Sequence, residues 1–457
     1  MNLAKFFSDA IYIVFEPNEI KTKKIKQFLD YIHGDINDED IQDILEFINS
    51  GRYTVCWLYI VVFSTFCYST IELGVLLLTL LYLIRHSLVK APHVLVYLTL
   101  FFAYSVVVAT TILGYPMSKG LQQYVLLTLY ILIYYSLLSQ QKANIEGLFI
   151  VYLKVAKVVG LLGFIELCAY AATHIDIFSF TLWAKTNTEV ASHIIRVHST
   201  LAEGGYYGTI LSPFIAYIIL YKDKFHLFKR WQLVLIFTSL ACSLSTIAFI
   251  TAAICLFKWF YQRVSKGILF KMIGACAIGI VIFFVSTTKQ SESEKGFSGI
   301  MLRLQQTATA LSSLNNIYVI ESLNNSSYAL LANTYVATHA PLRWTGTGLG
   351  THKLNYHAVY QSNRPLYGLN DEDGYSLFNR LLSETGILGL LVYIVFLFKY
   401  RSKQSMINTC VLFYLLGTFI RGGNYFVYGM IFYNMLYYFS YKNAKITQRL
   451  RLRNEKK

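Results

Sequence analysis

Two stretches of the chain combine charged side chains with glycines in a way that suits anion binding. The first runs from Arg196 past His198 to Glu203, and is followed by glycines 204, 205 and 208. A guanidinium can grip a phosphate as a bidentate fork, and glycine lets the backbone approach a ligand closely. A structural Arg–Glu pair at a glycine-rich helix entrance would produce the same pattern, and the residues alone favour neither interpretation.

The second stretch places Arg343 shortly before Gly346-Thr-Gly-Leu-Gly350 and His352. As a nucleotide-binding loop this pattern is weak, because no strand–turn–helix unit surrounds it. A flexible loop beside a substrate at the membrane edge fits better. His352 is a candidate substrate ligand, and the alternative is an ordinary polar loop residue.

Acidic and basic residues further along the chain are candidates for a general base and for further anion-binding side chains. Asp371, Glu372 and Asp373 form an acidic run that suits a general base or a divalent cation, although such runs are usually solvated turns. Arg380 and Glu384 are four residues apart and share one helix face, where a structural ion pair is at least as good an interpretation. Arg421 follows an apolar segment and precedes two glycines.

These residues must be positioned by membrane-spanning helices. The chain has 457 residues, of which 55% are hydrophobic and 14% are charged, whereas soluble proteins carry about 25% charged residues. The apolar residues form blocks of bilayer-spanning length. Although the net charge is +15, the Lys and Arg residues cluster in alternate loops. This placement predicts membrane orientation and argues against nucleic acid as a partner.

We therefore expect an all-α, polytopic integral membrane protein with about 12 transmembrane helices and both termini in the cytoplasm. A large extracytoplasmic loop is predicted between helices 9 and 10. The 36 tyrosines and 32 phenylalanines are typical of interfacial belts. The predicted segments are a cytoplasmic N-terminal segment (1–50), helices 1–9 (51–286) with an outer loop (173–205), the large outer loop (287–375), helices 10–12 (376–441) and a basic tail (442–457).

Taken in order, several fragments resemble the O-antigen polymerase (Wzy-type) and ligase superfamily of bacterial surface-glycan assembly. These fragments are Arg196…Glu203-Gly-Gly, Ser243-Leu-Ser245, Arg303 on a predicted loop helix, Gly346-Thr-Gly-Leu-Gly350, and Leu381-Leu-Ser-Glu-Thr-Gly-Ile-Leu-Gly389-Leu. The resemblance covers about residues 190–400. Each fragment is degenerate, and the Glu-Thr-Gly-Ile-Leu-Gly piece is the most recognisable.

The resemblance implies a GT-C-like inverting glycosyltransferase that acts on a glycan carried by undecaprenyl pyrophosphate. It implies that arginines neutralise the pyrophosphate, so that neither a metal nor a cofactor is needed. Arg196 and Arg303 match arginines of the family. As catalytic candidates we take Arg196, Arg303, Asp373 and Glu203, and as substrate-binding candidates Arg343, His352, His198, Arg421 and Arg380.

Two departures from the family pattern matter. Ligases typically carry a histidine shortly before the Glu-Thr-Gly span, whereas this chain has Asp371-Glu-Asp-Gly-Tyr375; and Thr246 stands where arginine often follows the middle-span serine. The first departure favours a polymerase of O-antigen or capsule repeat units at the outer face of the bacterial plasma membrane.

The expected partners are lipid-linked donor and acceptor glycans, membrane lipid, a chain-length regulator and a flippase. The alternatives are an O-antigen ligase and, in a different class, a lipid-linked oligosaccharide flippase or transporter.

Overall fold

The computed structural model of the protein describes residues 56–140, 144–179, 189–191, 194–225, 227–263 and 317–454. Most of these residues are helical, and two short strands pair antiparallel as a small hairpin. In chain order, the elements are α1 (Ser69–Arg85), α2 (Val94–Val106, continued by a π-turn over Val107–Ile112), α3 (Ser118–Gln140), α4 (Ile145–Thr173), β1 (Glu189–Ala191), β2 (Ile194–Ile195), α5 (Gly204–Ile210), α6 (Ser212–Tyr221), α7 (Arg230–Cys242), α8 (Thr246–Arg263), α9 (Ile317–Glu321), α10 (Asn325–His339), α11 (His352–Val359), α12 (Leu377–Lys399), α13 (Met406–Ile420) and α14 (Met430–Asn454).

Four of the described helices are long and apolar enough to cross a bilayer, namely Val94–Ile112, α3, α4 and α12, and two shorter apolar helices are α7 and α13. Large apolar side chains such as Tyr97, Val392 and Phe398 are exposed on the outside of the bundle. Such a surface suits lipid rather than water, and the chain is a helical membrane protein. The number of twelve spans stays a prediction, since the ninth predicted span lies outside the described residues.

The helices pack closely, and tyrosines fill much of the space between them. α4 packs along α7, while α6 contacts both α8 and α13. The largest fully buried side chains are tyrosines, and their hydroxyls donate to backbone carbonyls: Tyr152 to Ile210 over 2.8 Å and Tyr414 to Tyr428 over 2.7 Å. The interpretation of the tyrosines as interfacial belts is therefore incomplete, because many hold helices together in the interior.

The described part of the large predicted loop is a helical cap rather than an extended loop. Helices α9, α10 and α11 enclose their own apolar cluster, which includes Ile320, Tyr328 and Tyr356. The cap rests on α12 through α10 and α11. The apolar cluster and this docking position the cap residues over one end of the bundle.

Helix α12 is broken at Gly386, where φ is +65° and ψ is −170°. The glycine loop 342–350 fills the break. The N–H groups of Ile387 and Leu388 donate to the carbonyls of Arg343 and Trp344, each over 3.0 Å. In return, the carbonyls of residues 383 and 384 accept from the N–H groups of residues 347 and 348, over 3.3 and 2.9 Å. The loop thus provides partners for two N–H groups and two carbonyls that lose their helical partners at the break.

Replacing Gly386 by alanine should destabilise the protein. A Cβ there would lie 2.4 Å from the carbonyl oxygen of Trp344, and the backbone is left-handed. We expect Gly386→Ala to lower the midpoint of thermal unfolding in detergent by an amount that corresponds to more than about 1 kcal/mol.

Gly74→Ala is the matched control, because a Cβ at Gly74 in α1 meets nothing within 4 Å. Alanine is the better helix former, so this variant should unfold at the wild-type temperature or above. Equal midpoints for the two variants would show that the break in α12 does not require glycine.

Candidate functional site

The glycines after Glu203 allow α5 to cross the turn between α7 and α8. A Cβ at Gly204 would lie 2.6 Å from the carbonyl oxygen of Ser243, and one at Gly208 would lie 2.0 Å from Oγ of Ser245. Ser245 Oγ donates to the carbonyl of Gly205 over 3.3 Å. The structure therefore brings two of the family-like fragments into direct contact, and these glycines serve helix packing.

Arg196 lies beside this crossing. Its Nε donates to the carbonyl oxygen of Ser243 over 3.1 Å, and a Cβ at Gly204 would lie 3.2 Å from the same nitrogen. The side chain is only partly buried. Arg196 thus caps the end of α7 at the entrance of α5, and it precedes Glu203 by seven residues in the chain.

Arg421 and Glu203 form an ion pair at the same end of the bundle. Arg421 follows the last residue of α13, and its Nη2 lies 3.3 Å from Oε1 of Glu203. Both side chains are 22% exposed. The guanidinium carbon lies 5.6 Å from the ring centre of Tyr375, and a Cβ at Gly205 would lie 2.9 Å from that carbon. A ligand can therefore approach this pair from outside.

The segment with Asp373 crosses directly over the turn that follows Arg421. The N–H of Gly422 donates to the carbonyl of Tyr375 over 2.9 Å, and a Cβ at Gly423 would collide with the carbonyl oxygen of Asp373. Oδ1 of Asp373 accepts from the N–H of Tyr375 over 3.0 Å. Arg421, Glu203 and the half-buried Asp373 thus lie where the two predicted outer loops meet.

Arg380 belongs to a buried clamp one layer deeper. Its Nε lies 3.1 Å from Oε1 of Glu384, and both side chains are almost fully buried. Nη1 donates to the carbonyl of Gly423 over 3.2 Å, and the guanidinium carbon lies 4.1 Å above the ring of Tyr425. The Tyr425 hydroxyl donates to Oε2 of Glu384 over 3.0 Å. The pair is therefore the structural ion pair that the spacing of four residues allowed. Arg380 lies in the interior and not at the partly exposed Arg421–Glu203 pair.

His352 is also buried, in the first turn of α11. Its Nε2 lies 2.9 Å from Oδ1 of Asn333, and Nδ1 has no hydrogen-bond partner among the described residues. Burial, together with the nearby charge of Arg380, lowers the pKa of His352 to about 3. The imidazole is therefore neutral at pH 7 and is a poor ligand for phosphate.

The three remaining candidates lie apart from the Arg421–Glu203 pair or outside the described residues. The Arg343 side chain is exposed, and the residue contributes its carbonyl to the break in α12. Arg303 and its predicted loop helix lie outside the described residues. His198 is buried next to Glu166 and Asp176. Burial opposes the charged form of His198, but the bond to Asp176 and the charge of Glu166 outweigh it and raise the pKa.

Several residues at this end of the bundle carried no clear signal in the sequence. A small cavity beside Arg421 is lined by residues of α5, α13 and the 422–428 segment, among them Tyr206, Thr418, Gly422, Asn424 and Tyr428. The density of tyrosines after the paired glycines was the one available hint. The cavity has room for only about one water molecule, so it does not by itself form a pocket for a lipid-linked or sugar ligand.

Comparison of the sequence with models of known protein families and with curated proteins found no match. The function must therefore be inferred from the residues and from the geometry of the site.

The buried neutral imidazole of His352 predicts a dependence of stability on pH. The ordinary pKa of histidine is 6.5 and that of His352 in the folded chain is about 3. Between these values the unfolded chain binds one more proton than the folded chain, so stability falls as the pH drops through this window. The contribution is at most about 1.4 kcal/mol per pH unit. His352→Gln should flatten the fall in unfolding temperature between pH 6.5 and pH 4.

His339→Gln is the matched control, since His339 is exposed at the end of α10, and it should keep the wild-type pH profile. If His352→Gln loses stability on acidification as steeply as the wild type does, the buried imidazole is not responsible.

Proposed function

We propose that the protein is a membrane-embedded inverting glycosyltransferase that joins lipid-linked oligosaccharide repeat units. In this proposal it is a polymerase of O-antigen or capsule units and acts at the outer face of a bacterial plasma membrane, with both termini in the cytoplasm. The observation that carries the proposal is the partly exposed Arg421–Glu203 pair. Arg196 lies on one side of it and Asp373 on the other, at the junction of the family-like fragments.

The chemistry of the pair suits a pyrophosphate leaving group. In the proposed reaction, an acceptor hydroxyl attacks the anomeric carbon of the donor sugar from the face opposite the pyrophosphate. The new carbon–oxygen bond forms while the bond to the pyrophosphate oxygen breaks, and the pyrophosphate leaves with the electron pair. Arginines oriented before the reaction stabilise the charge that develops on that oxygen.

The ion pair also suggests how a base becomes available. A carboxylate held by a guanidinium is a weaker base than a free carboxylate. When pyrophosphate binds to Arg421, Glu203 loses this partner and becomes a better proton acceptor. Asp373 is the second candidate, because its segment is in direct contact with the turn after Arg421. The attacking hydroxyl gives its proton to one of these carboxylates.

The two alternative functions, a ligase and a transporter, each require particular side chains at particular places. A ligase would use a histidine just before the Glu-Thr-Gly helix. Although His352 approaches Gly374, where a Cβ would lie 3.3 Å from its Nε2, the imidazole is buried. A transporter would place its charged groups along a cavity at the centre of the bundle. The Arg421–Glu203 pair instead lies after the end of α13 and before the start of α5, which favours an enzyme that acts at the membrane edge.

The first experiment tests the reaction itself. The purified full-length protein in detergent is given the lipid-linked repeat unit that accumulates in the producing cells after deletion of its gene, without any nucleotide sugar. We expect a ladder of longer lipid-linked glycans on a gel, because each transfer adds one unit. If the authentic unit yields no product, or if the deletion strain makes polymer of normal length, the enzyme proposal is wrong.

The second experiment tests the site. Arg421→Ala should lower the rate of ladder formation by about 10²–10³-fold, which is the usual effect of removing one group that stabilises developing charge. Arg85→Ala is the control, because Arg85 is exposed at the end of α1, and it should keep the wild-type rate. A full ladder from Arg421→Ala would place the reaction elsewhere.

The same assay assigns the base. Glu203→Gln and Asp373→Asn each remove one carboxylate while keeping the shape of the side chain. The variant that lacks the base should lose roughly 10²–10⁴-fold in rate, and the other should lose much less. Wild-type rates in both variants would show that neither carboxylate accepts the proton.

A further inference from the structure

A second group of ionisable side chains lies outside the Arg421–Glu203 site. It consists of Glu166 near the end of α4, Asp176 in the segment after α4, and His198 in the segment before α5. Nε2 of His198 lies 3.2 Å from Oδ2 of Asp176 and 3.5 Å from Oε1 of Glu166. His198 and Glu166 are fully buried, and the Asp176 side chain is 12% exposed. One nitrogen and two carboxylate oxygens thus converge at the edge of the bundle.

The other ring nitrogen of His198 determines what Nε2 can do. Nδ1 lies 2.6 Å from the carbonyl oxygen of Leu201. A carbonyl oxygen only accepts hydrogen bonds, so Nδ1 carries a hydrogen. In the neutral ring, Nε2 then directs a lone pair towards two carboxylates. That arrangement is repulsive unless Nε2 binds a proton or a metal cation, and a metal-binding histidine is commonly oriented by this kind of Nδ1–H···O=C bond.

Backbone N–H groups hold the Glu166 carboxylate in place beside His198. The N–H of His198 donates to both carboxylate oxygens over 3.3 and 3.2 Å, and the N–H of Ser199 donates to Oε2 over 2.6 Å. Ser199 has φ +54°, a left-handed conformation that is uncommon for serine. Each carboxylate oxygen has further lone pairs, so these bonds leave Oε1 able to bind a cation.

We propose that Glu166, Asp176 and His198 bind a single divalent cation, with Zn²⁺ as the best match. In a tetrahedral zinc site with bonds of about 2.0–2.1 Å, the ligand atoms lie roughly 3.3 Å apart. The two separations from Nε2 are 3.2 and 3.5 Å. One nitrogen ligand also favours zinc over Ca²⁺ or Mg²⁺, which prefer all-oxygen sites. A water molecule would complete the coordination on the side of Asp176.

The cation would link three segments of the chain. It would join the end of α4 to the segment after it and to the segment that carries both Arg196 and Glu203. Its role would be structural, because it would fix the segment that brings these residues to the end of α7 and to Arg421. This proposal does not depend on the proposed transferase activity, since the link between the segments holds for any function of the site.

The test measures metal content and stability of the full-length protein. The protein is purified in detergent, stripped with a chelator, loaded with ZnCl₂ and desalted. We expect about one zinc per chain by mass spectrometry of the metal, and an increase of roughly 5 °C in the midpoint of thermal unfolding. Asp176→Asn should lose both effects. Asp371→Asn should keep both, because the His357–Asp371 contact of 3.1 Å belongs to no group of three possible ligands in the described ranges.

The opposite results would overturn the proposal. If the wild type binds no zinc and its unfolding temperature does not respond, a proton on His198 alone holds the two carboxylates together. Zinc retained by Asp176→Asn would exclude this ligand set. If Asp176→Asn is not recovered folded, Co²⁺ loading of the wild type decides, because intense visible bands indicate tetrahedral coordination and weak bands contradict it. None of these readouts requires glycan synthesis, so this proposal and the proposed function can fail separately.

Discussion

The exchange of backbone hydrogen bonds at Gly386 is the constraint on which this end of the molecule depends. A helix interrupted inside an apolar segment leaves N–H groups and carbonyls without helical partners, and each would be costly to bury unpaired. The 342–350 loop supplies partners for two of these N–H groups and two of these carbonyls. Gly346 sits with φ +74° against the carbonyl of Glu384, where a Cβ would lie 2.3 Å from the oxygen. The loop thus stabilises the break in the helix, and the same bonds help to hold the loop against α12.

Several further contacts follow from this docking. The first turns of α12 are directed by the Ser376 cap, whose Oγ accepts from the N–H of Asn379 over 3.1 Å. They carry Arg380 and Glu384 into contact with Tyr425 and with the carbonyl of Gly423. The bond from Arg380 to Gly423 fixes the turn after Arg421. That turn supports the segment that carries Asp373. The break in α12 is therefore connected through packed groups to the partly exposed ion pair.

The sequence predicted the helical membrane class, because long apolar runs are local features that need no knowledge of the fold. It also predicted that Arg380 and Glu384 share a helix face, since four residues in a helix bring side chains together. It did not predict the break at Gly386, where an apolar run looks like one continuous span. The partner loop lies about forty residues earlier in the chain, and only the fold shows that the two meet. The same holds for His352, which the sequence pattern placed in a loop and which is buried in the first turn of α11, against Asn333 of α10.

The glycine-rich fragments show why a motif without its context was hard to interpret. Glycines 346, 348 and 350 all have positive φ, but their close neighbours are protein atoms: the backbone of Glu384, the Cβ of Ser105 and the backbone of Lys119. In the described structure they therefore serve close packing of chain against chain. Glycines 204 and 208 do the same at the α5 crossing, so the earlier interpretation of both runs as ligand-binding loops is not needed to explain them.

The Arg380–Glu384 and Arg421–Glu203 pairs differ in burial, and we therefore infer different roles for them. Taking a guanidinium and a carboxylate out of water costs several kcal/mol for each ion, and only good geometry with additional hydrogen bonds offsets it. Arg380 and Glu384 meet this requirement with Tyr425 and Gly423 as further partners, so breaking the pair would leave an uncompensated buried charge. Arg421 and Glu203 are each 22% exposed, and water can take over when their contact opens. An anion that approaches from outside can therefore replace Glu203 at Arg421 at modest cost, whereas Arg380 cannot change its partner without disturbing α12.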